Sequence, residues 1–235
     1  MSAARAGGLE RKPALAPHVV ALGGGHGLSA SLTALQTVTR QLTAVVTVAD
    51  DGGSSGRLRR EMGIVPPGDL RMALAALAAD DSWSTTWADI IQHRFGGDGP
   101  LHGHAMGNLL VAAAAQRLGG LVPALDLIAS LLHAHGRVLP MSLVPLDIVA
   151  DVAGLDPHDP QVTVTVRGQV AVATTRGQVV TVRLEPADPP ACPEAVAAIR
   201  SADWVVLGPG SWFTSVIPHL LVPDLGEALI DTPAR

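Results

Sequence analysis

The sequence predicts an α/β fold with a mainly parallel sheet, a helical block and a small β-ribbon insertion. Three observations point there. HVVAL, GGGHG, LSASLTALQTV and LTAVVTVA follow one another between His18 and Ala49 as strand, glycine turn, helix and strand. Strand–helix–strand with short joins is a βαβ unit, whose crossover makes the two strands parallel. A second strand, glycine turn and helix, DWVVL–GPGS–FTSVIPHLL, comes late, so the sheet resumes there. Between them, Val162–Pro186 alternates Val and Thr, the period of half-exposed strands.

The elements follow in order. Residues 1–17 mix Gly, Pro, Ala and charges without a period and read as a disordered tail; residues 18–235 read as one domain, with no linker inside. His18–Leu22 is a short buried strand. Leu28–Val38 is a helix with Leu28, Leu32 and Leu35 on one face, and Leu42–Ala49 is a β-branched strand. A polar loop is expected from Asp50 to about Gly63. Asp69 then caps a helix striped by Leu70, Ala73, Leu74 and Leu77. Helices follow at Thr85–Phe95, Ala105–Leu118 and Val122–Ala134, with Gly119 and Gly136 as stops for the last two. Val162–Pro186, a β-ribbon or small antiparallel patch, carries RGQV twice, nine residues apart. Pro193–Ala202 is a helix opened by proline, and Asp203–Leu207 a buried strand.

Composition narrows the function. The chain has 235 residues, 48% hydrophobic and 16% charged, with a net charge of −5. Such a chain builds a core without disulfide or metal staples and is not disordered. Its acidic balance argues against a nucleic-acid binder driven by phosphate neutralisation. Cys192 is the single cysteine, which excludes a disulfide framework and a cysteine zinc site and fits a reducing compartment. The N-terminus has no apolar signal core, and the longest apolar runs, such as Leu109–Ala115, fall far short of the roughly 20 residues of a membrane span. A cytoplasmic protein is expected. The only lysine, Lys12, lies in the tail, which excludes a P-loop NTPase. There is no tyrosine and no evident dehydrogenase constellation.

Four groups of residues can carry chemistry. In GGGHGLSA, Gly25-x-Gly27-x-x-Ala30 meets the dinucleotide fingerprint between a strand and a helix, where free N–H groups face a phosphate; Asp50 stands about where a ribose-binding acid belongs. The bland alternative is a tight βα turn. ADDGGSSGRLRRE follows the second strand and offers Asp50, Asp51, Ser54, Ser55 and Arg57 for ribose, Mg²⁺ or phosphate, or else a solvated loop. GPGS, Gly208, Pro209, Gly210 and Ser211, repeats the glycine-turn arrangement, with Thr214 and Ser215 in the next helical turn. Finally, His102/His104 and His133/His135 are HxH pairs; metal ligation is the minor reading, and His104 with Asn108 at the start of a helix is expected to face the crevice. The four tryptophans are read as packing residues, Trp212 alone being placed to line a pocket.

GGGHGLSASL, VTVADDGGSSGRLRRE, PPGDLRMALAALA, GHAMGNLL, GQVAVAT and LGPGSWFTSVIPHLLV, in this order, resemble the YvcK-like proteins called "putative gluconeogenesis factors", within the larger family of 2-phospho-L-lactate transferase (CofD-like) proteins. The resemblance covers about residues 18–233. It implies a Rossmann-like fold with a nucleotide site, binding of a UDP-sugar (notably UDP-N-acetylglucosamine) or of NAD, and a role in cell shape and cell-wall precursor supply on gluconeogenic carbon sources. The transferase branch moves a phospholactyl group from a guanylyl carrier to a deazaflavin with Mg²⁺; Asp50 and Asp51 would then hold the metal. The matched positions expected at the ligand are Gly24, Gly25, His26, Gly27, Leu28, Asp50, Asp51, Ser54, Ser55, Asn108, Gly208–Ser211, Thr214 and Ser215. The second loop is of the YvcK type, which favours a binding protein over an enzyme. The resemblance also implies a homodimer, and a further strand, glycine loop and helices after TPAR, so that residues 18–235 are expected to be a C-terminally truncated domain with an exposed sheet edge.

Overall fold

The computed structural model describes residues 16–157, 159 and 161–235; the expected tail therefore lies, for residues 1–15, outside the described residues. Strand β1 (Val19–Gly23) leads into helix α1 (Gly25–Leu35) and strand β2 (Leu42–Val46). Helices α2 (Gly53–Met62), α3 (Gly68–Ala76), α4 (Ser82–Gln92), α5 (Met106–Leu118) and α6 (Leu121–Leu131) form the helical block. Strands β3 (Arg137–Pro140), β4 (Asp147–Ala153) and β5 (Thr163–Arg167), helix α7 (Gln169–Thr174) and strand β6 (Gln178–Glu185) follow. The chain ends with α8 (Pro193–Arg200), β7 (Trp204–Leu207), a π-helical turn at Trp212–Val216, α9 (Ile217–Leu220) and α10 (Pro223–Asp231).

The main sheet is wholly parallel in the order β3-β2-β1-β7. Val19 pairs with Leu42 on one side and Trp204 on the other, and Thr43 with Arg137. Every residue of β1 and β2 is buried, as central strands covered on both faces require. Leu22, Leu28, Leu32, Leu70, Leu74, Leu125 and Leu139 are sealed in the core they share with the flanking helices. At the β7 edge the last residue pairs with the strand: Arg235 N–H donates to Asp203 O, and Val205 N–H to Arg235 O. Trp204 and Leu207 are half-exposed there.

Several sequence expectations need correcting. The polar loop at 50–63 is largely helix α2; Gly63, in the left-handed region, ends it. Its low hydropathy hid it, because its buried positions are Ser54, Ser55, Gly56 and Leu58. Helix α1 begins at Gly25, before Leu28, so both glycines of the fingerprint, Gly25 and Gly27, lie inside its first turn. Asp69 is no N-cap: it sits inside α3 and is buried. Asp81 caps α4 instead, accepting from Ser84 N–H at 2.9 Å. Gly119 does end α5, but α6 ends at Leu131 with Leu132 as its C-cap, and Gly136 leads into β3.

The expected small antiparallel patch is present, but its central strand lies outside Val162–Pro186. β5 and β6 do not pair with each other; both flank β4 in an antiparallel sheet of order β5-β4-β6. The first RGQV closes β5 and opens α7, while the second opens β6. Asp147–Ala153 was missed as a strand because Asp147 and Asp151 interrupt its apolar pattern. Asp151 is satisfied across the sheet by Thr165, Thr181 and Arg183. Among the tryptophans, Trp87 packs on the core, but Trp83, Trp204 and Trp212 are half-exposed or more. Among the described residues no single helix is long and apolar enough to cross a membrane; Trp212–Leu220 and Pro223–Asp231 qualify only as a pair bent by 77°.

Candidate functional site

The crevice lies where the parallel strands end and several helices begin. Open α/β sheets bind ligands at this edge. α1, α2 and α3 each start on a glycine, at Gly25, Gly53 and Gly68, and α5 starts two residues before Asn108. A helix start presents free N–H groups and a partial positive charge. No acidic side chain occupies the first turns of α1, α2 or α5. A cavity of about 230 Å³ is lined by Asp50, Gly52, Gly53, Ser54, Ser55, Gly68, Asp69, Arg71, Met72, Arg94 and Asn108.

The polar side chains form one chain of hydrogen bonds. Arg71 Nε donates to Asn108 Oδ1 at 3.0 Å, so the amide nitrogen of Asn108 must face the serines; it donates to Ser54 Oγ at 3.0 Å and Ser55 Oγ at 3.5 Å. Ser54 Oγ also accepts from Ala105 N–H at 3.3 Å. With both acceptor positions used, its own proton goes to His104 Nδ1, 3.0 Å away. His104 is therefore neutral with its proton on Nε2, consistent with burial and the Arg57 charge, which lower its pKa.

Asp69 is the most perturbed acid of the crevice. Thr47 Oγ1 donates to its Oδ2 at 3.1 Å, and Gly25 N–H donates to the carboxylate. Burial, aided by the Asp50 charge, still pushes its pKa up from 3.8 to about 6. Asp69 thus holds the glycine turn from below. A Cβ on Gly24 would collide with Thr47 Oγ1 and Asp69 Oδ2, so glycine is required there by close approach.

The predicted residues divide into three groups. Asp50, Ser54, Ser55 and Asn108 line the cavity together. The two glycine turns pack on one another beside it: Ser31 Oγ donates to Gly27 O at 3.1 Å and lies 3.4 Å from Gly208 O, and a Cβ on Gly27 would overlap the Pro209 carbonyl. His26 is exposed, while Thr214 and Ser215 are buried in the π-turn, the latter against Gly210. Gly27→Ala is expected to cost about 1–3 kcal/mol by overpacking a backbone contact. Thermal melts of the purified variant measure this; an unchanged midpoint would show the two turns to be separable.

Three residues point elsewhere. The Leu28 side chain is in the core and its amide donates to Gly24 O, so it has nothing free for a ligand. Asp51 Oδ1 accepts from Val170 N–H at 3.0 Å, which pins α7 to the crevice loop. Arg57 donates to His102 O at 2.7 Å and to Pro100 O, anchoring the loop before α5. The two HxH pairs are dispersed: His133 Nδ1 is 3.2 Å from Asp81, and His135 meets Arg40. Among the described residues, no three His, Cys, Asp or Glu side chains converge as a metal site.

Sequence reading missed Thr47, Asp69, Arg71 and Arg94. One signal was present: in GDLRMALAALA, Arg71 falls one turn before Leu74, on the apolar stripe. A charge on a buried helical face needs a partner or a function.

The family profile described as "2-phospho-L-lactate transferase CofD" matches residues 19–235. The chain belongs to the CofD family. Within it, a Mycobacterium leprae protein named "Putative gluconeogenesis factor" is 59% identical over 223 residues, which are 95% of this chain and 62% of that protein. The Bacillus subtilis "Gluconeogenesis factor" is 39% identical over 219 residues, 93% of this chain and 66% of that one. A crystal structure of the Bacillus halodurans protein BH3568 superposes with a TM-score of 0.84 at 39% identity, covering 93% of this chain and 67% of that chain; a second crystal structure describes BH3568 as a member of the UPF0052 family. This CofD-family chain thus spans roughly two thirds of the length of these relatives, with the YvcK-type resemblance holding throughout the matched part.

Proposed function

We propose that this CofD-family chain is the nucleotide-sugar-binding part of a cytoplasmic regulatory protein of the gluconeogenesis-factor type, which takes a UDP-N-acetylglucosamine-like ligand and governs cell shape and cell-wall precursor supply on gluconeogenic carbon sources. The observation that carries the binding reading is the convergence of the starts of α2, α3 and α5 on one cavity, with the start of α1 beside it. Their N–H groups suit a diphosphate. Gly24–Gly27 and Gly208–Ser211 form the adjoining glycine wall, and Asp50, whose Oδ1 accepts from Gly52 N–H at 3.0 Å, offers its Oδ2 to a ribose hydroxyl. The names of the curated relatives support the regulatory half.

Addition of UDP-N-acetylglucosamine is expected to raise the melting temperature. A ligand at a hundred times its Kd stabilises the folded state by about 2.7 kcal/mol, or very roughly 5–10 °C for a chain of this size. NAD serves as the comparison ligand. No shift at saturation, with a full-length relative responding as positive control, overturns the reading. Replacing Asp50 and Asn108 together by alanine should abolish the shift while the chain stays folded.

One observation favours a phospholactyl transferase as second reading. Asp50 lies close enough to Asp69 to raise its pKa, and the two share the cavity. Two carboxylates with room for substrate phosphates suit Mg²⁺, which keeps several non-protein ligands. The pair is Asp50 with Asp69, because both line the cavity and Asp51 does not. Bound there, Mg²⁺ would neutralise developing phosphate charge. Turnover of a guanylyl-lactyl donor with a deazaflavin acceptor establishes this reading, and its absence with Mg²⁺ present removes it.

A further inference from the structure

Among the described residues, Arg71 has no ion-pair partner. It is 4% exposed and lines the crevice cavity. Among the described residues, Nε–H alone of its five N–H donors has a protein partner, Asn108. Among the described residues no carboxylate lies within 4.0 Å of its guanidinium. Its terminal nitrogens are not sealed orphans either, so they open onto the cavity. Burial and the neighbouring Arg94 lower its pKa to about 10, against the weaker pull of Asp69 and Asp50. A buried, unpaired guanidinium is costly. Yet this one is held rigidly: Asn108 fixes its Nε edge and is itself fixed by Ser54 and Ser55. Its Cδ packs against Gly107, where a Cβ would strike it. Arg94 reaches the same cavity with one nitrogen tied to Gly103 O at 3.0 Å. None of the glycine-turn residues Gly24–Gly27 or Gly208–Ser211 lines this cavity.

We propose that Arg71 and Arg94 form an oxyanion subsite, separate from the glycine turns, which receives a carboxylate or phosphate carried by the ligand in addition to any diphosphate. The free edge of a guanidinium matches two oxygens of such a group in parallel hydrogen bonds. The ligand is therefore acidic at its non-nucleotide end. That last statement rests on the nucleotide-sugar reading; the oxyanion subsite itself does not.

The test is a matched pair of probes, UDP-glucose and UDP-glucuronate, titrated calorimetrically against the wild type, Arg71→Gln and Arg94→Gln. The wild type is expected to prefer UDP-glucuronate by about tenfold or more, the scale of one charge-assisted hydrogen-bonded pair. Arg71→Gln should erase the preference by weakening UDP-glucuronate far more than UDP-glucose. Arg94→Gln, at an exposed residue that leaves the core untouched, should reduce it. Equal wild-type affinities overturn the subsite, and so does equal loss of both ligands in a folded Arg71→Gln, which would place Arg71 on the diphosphate. If neither UDP-sugar binds, the nucleotide reading falls and inorganic phosphate at constant ionic strength decides the subsite. Stabilisation of the wild type that both variants lose or weaken supports it; no phosphate-dependent stabilisation of the wild type overturns it.

Discussion

Asp69→Asn is expected to make the protein more stable at neutral pH. Asp69 has a folded pKa of about 6 against an ordinary 3.8. The folded state therefore binds more protons than the unfolded state between these values, and the contribution of this group to stability falls as pH rises through that window. It is fully favourable only below about pH 4. Above pH 6 the ionised carboxylate costs roughly 3 kcal/mol, from about two pKa units at 1.36 kcal/mol each. Asparagine cannot ionise, keeps an acceptor for Gly25 N–H, and lets Thr47 accept where it had donated. The melting temperature of Asp69→Asn minus that of the wild type should climb from near zero at pH 4 to very roughly 6–12 °C at pH 7. A difference that does not change with pH would show that Asp69 is not the titrating group. A chain that keeps a costly buried charge at its crevice has the signature of a site that trades stability for function.

His219→Gln should reveal the opposite slope. His219 is fully buried on α9, and burial drives its pKa down from 6.5 to about 4. Its Nε2 lies 3.1 Å from Val45 O, an acceptor only, so the proton is on Nε2 and Nδ1 is left without a hydrogen bond. The unfolded chain takes up a proton at this residue first as pH falls. The stability that neutral His219 contributes is thus present above pH 6.5 and lost progressively down to pH 4, again by roughly 3 kcal/mol. Glutamine can still donate to Val45 O and does not titrate. The stability of His219→Gln relative to the wild type should rise by this amount between pH 7 and pH 4, read from urea melts at each pH. A parallel pair of curves would refute the assignment. The windows of Asp69 and His219 overlap with opposite sign, so in the wild type the two largely cancel between pH 4 and 6, and each single variant exposes the other residue's slope.

How much of this was legible in the sequence differs by element. β1, α1 and β2 were readable because their pattern is local: apolar runs of strand length, a glycine turn and a helical stripe within about thirty residues. Helix α2 was not, because its buried face is made of serine and glycine and becomes a face only when Asn108 and Gly68 close on it. The same holds for β4. Its two aspartates look like loop residues until partners from β5 and β6 satisfy Asp151 and arginines reach Asp147.

By itself, the sequence determined the βαβ start, the two glycine turns, the late strand and the family, because each is written in contiguous residues whose backbone needs are local. Only the tertiary structure decided which charges face the ligand. Asp51 and Arg57, the conspicuous ones, are spent on Val170 and on the carbonyls of Pro100 and His102. Asp69, which read as a cap, and Arg71, which the sequence did not single out, stand in the crevice. The physical reason is distance along the chain. Arg71 owes its orientation to Asn108, 37 residues away, and Asp69 owes its environment to Thr47, 22 residues away. The 3.6 and 2.0 residue periods place a side chain on a face of its own element; what that face meets is settled by how the elements pack.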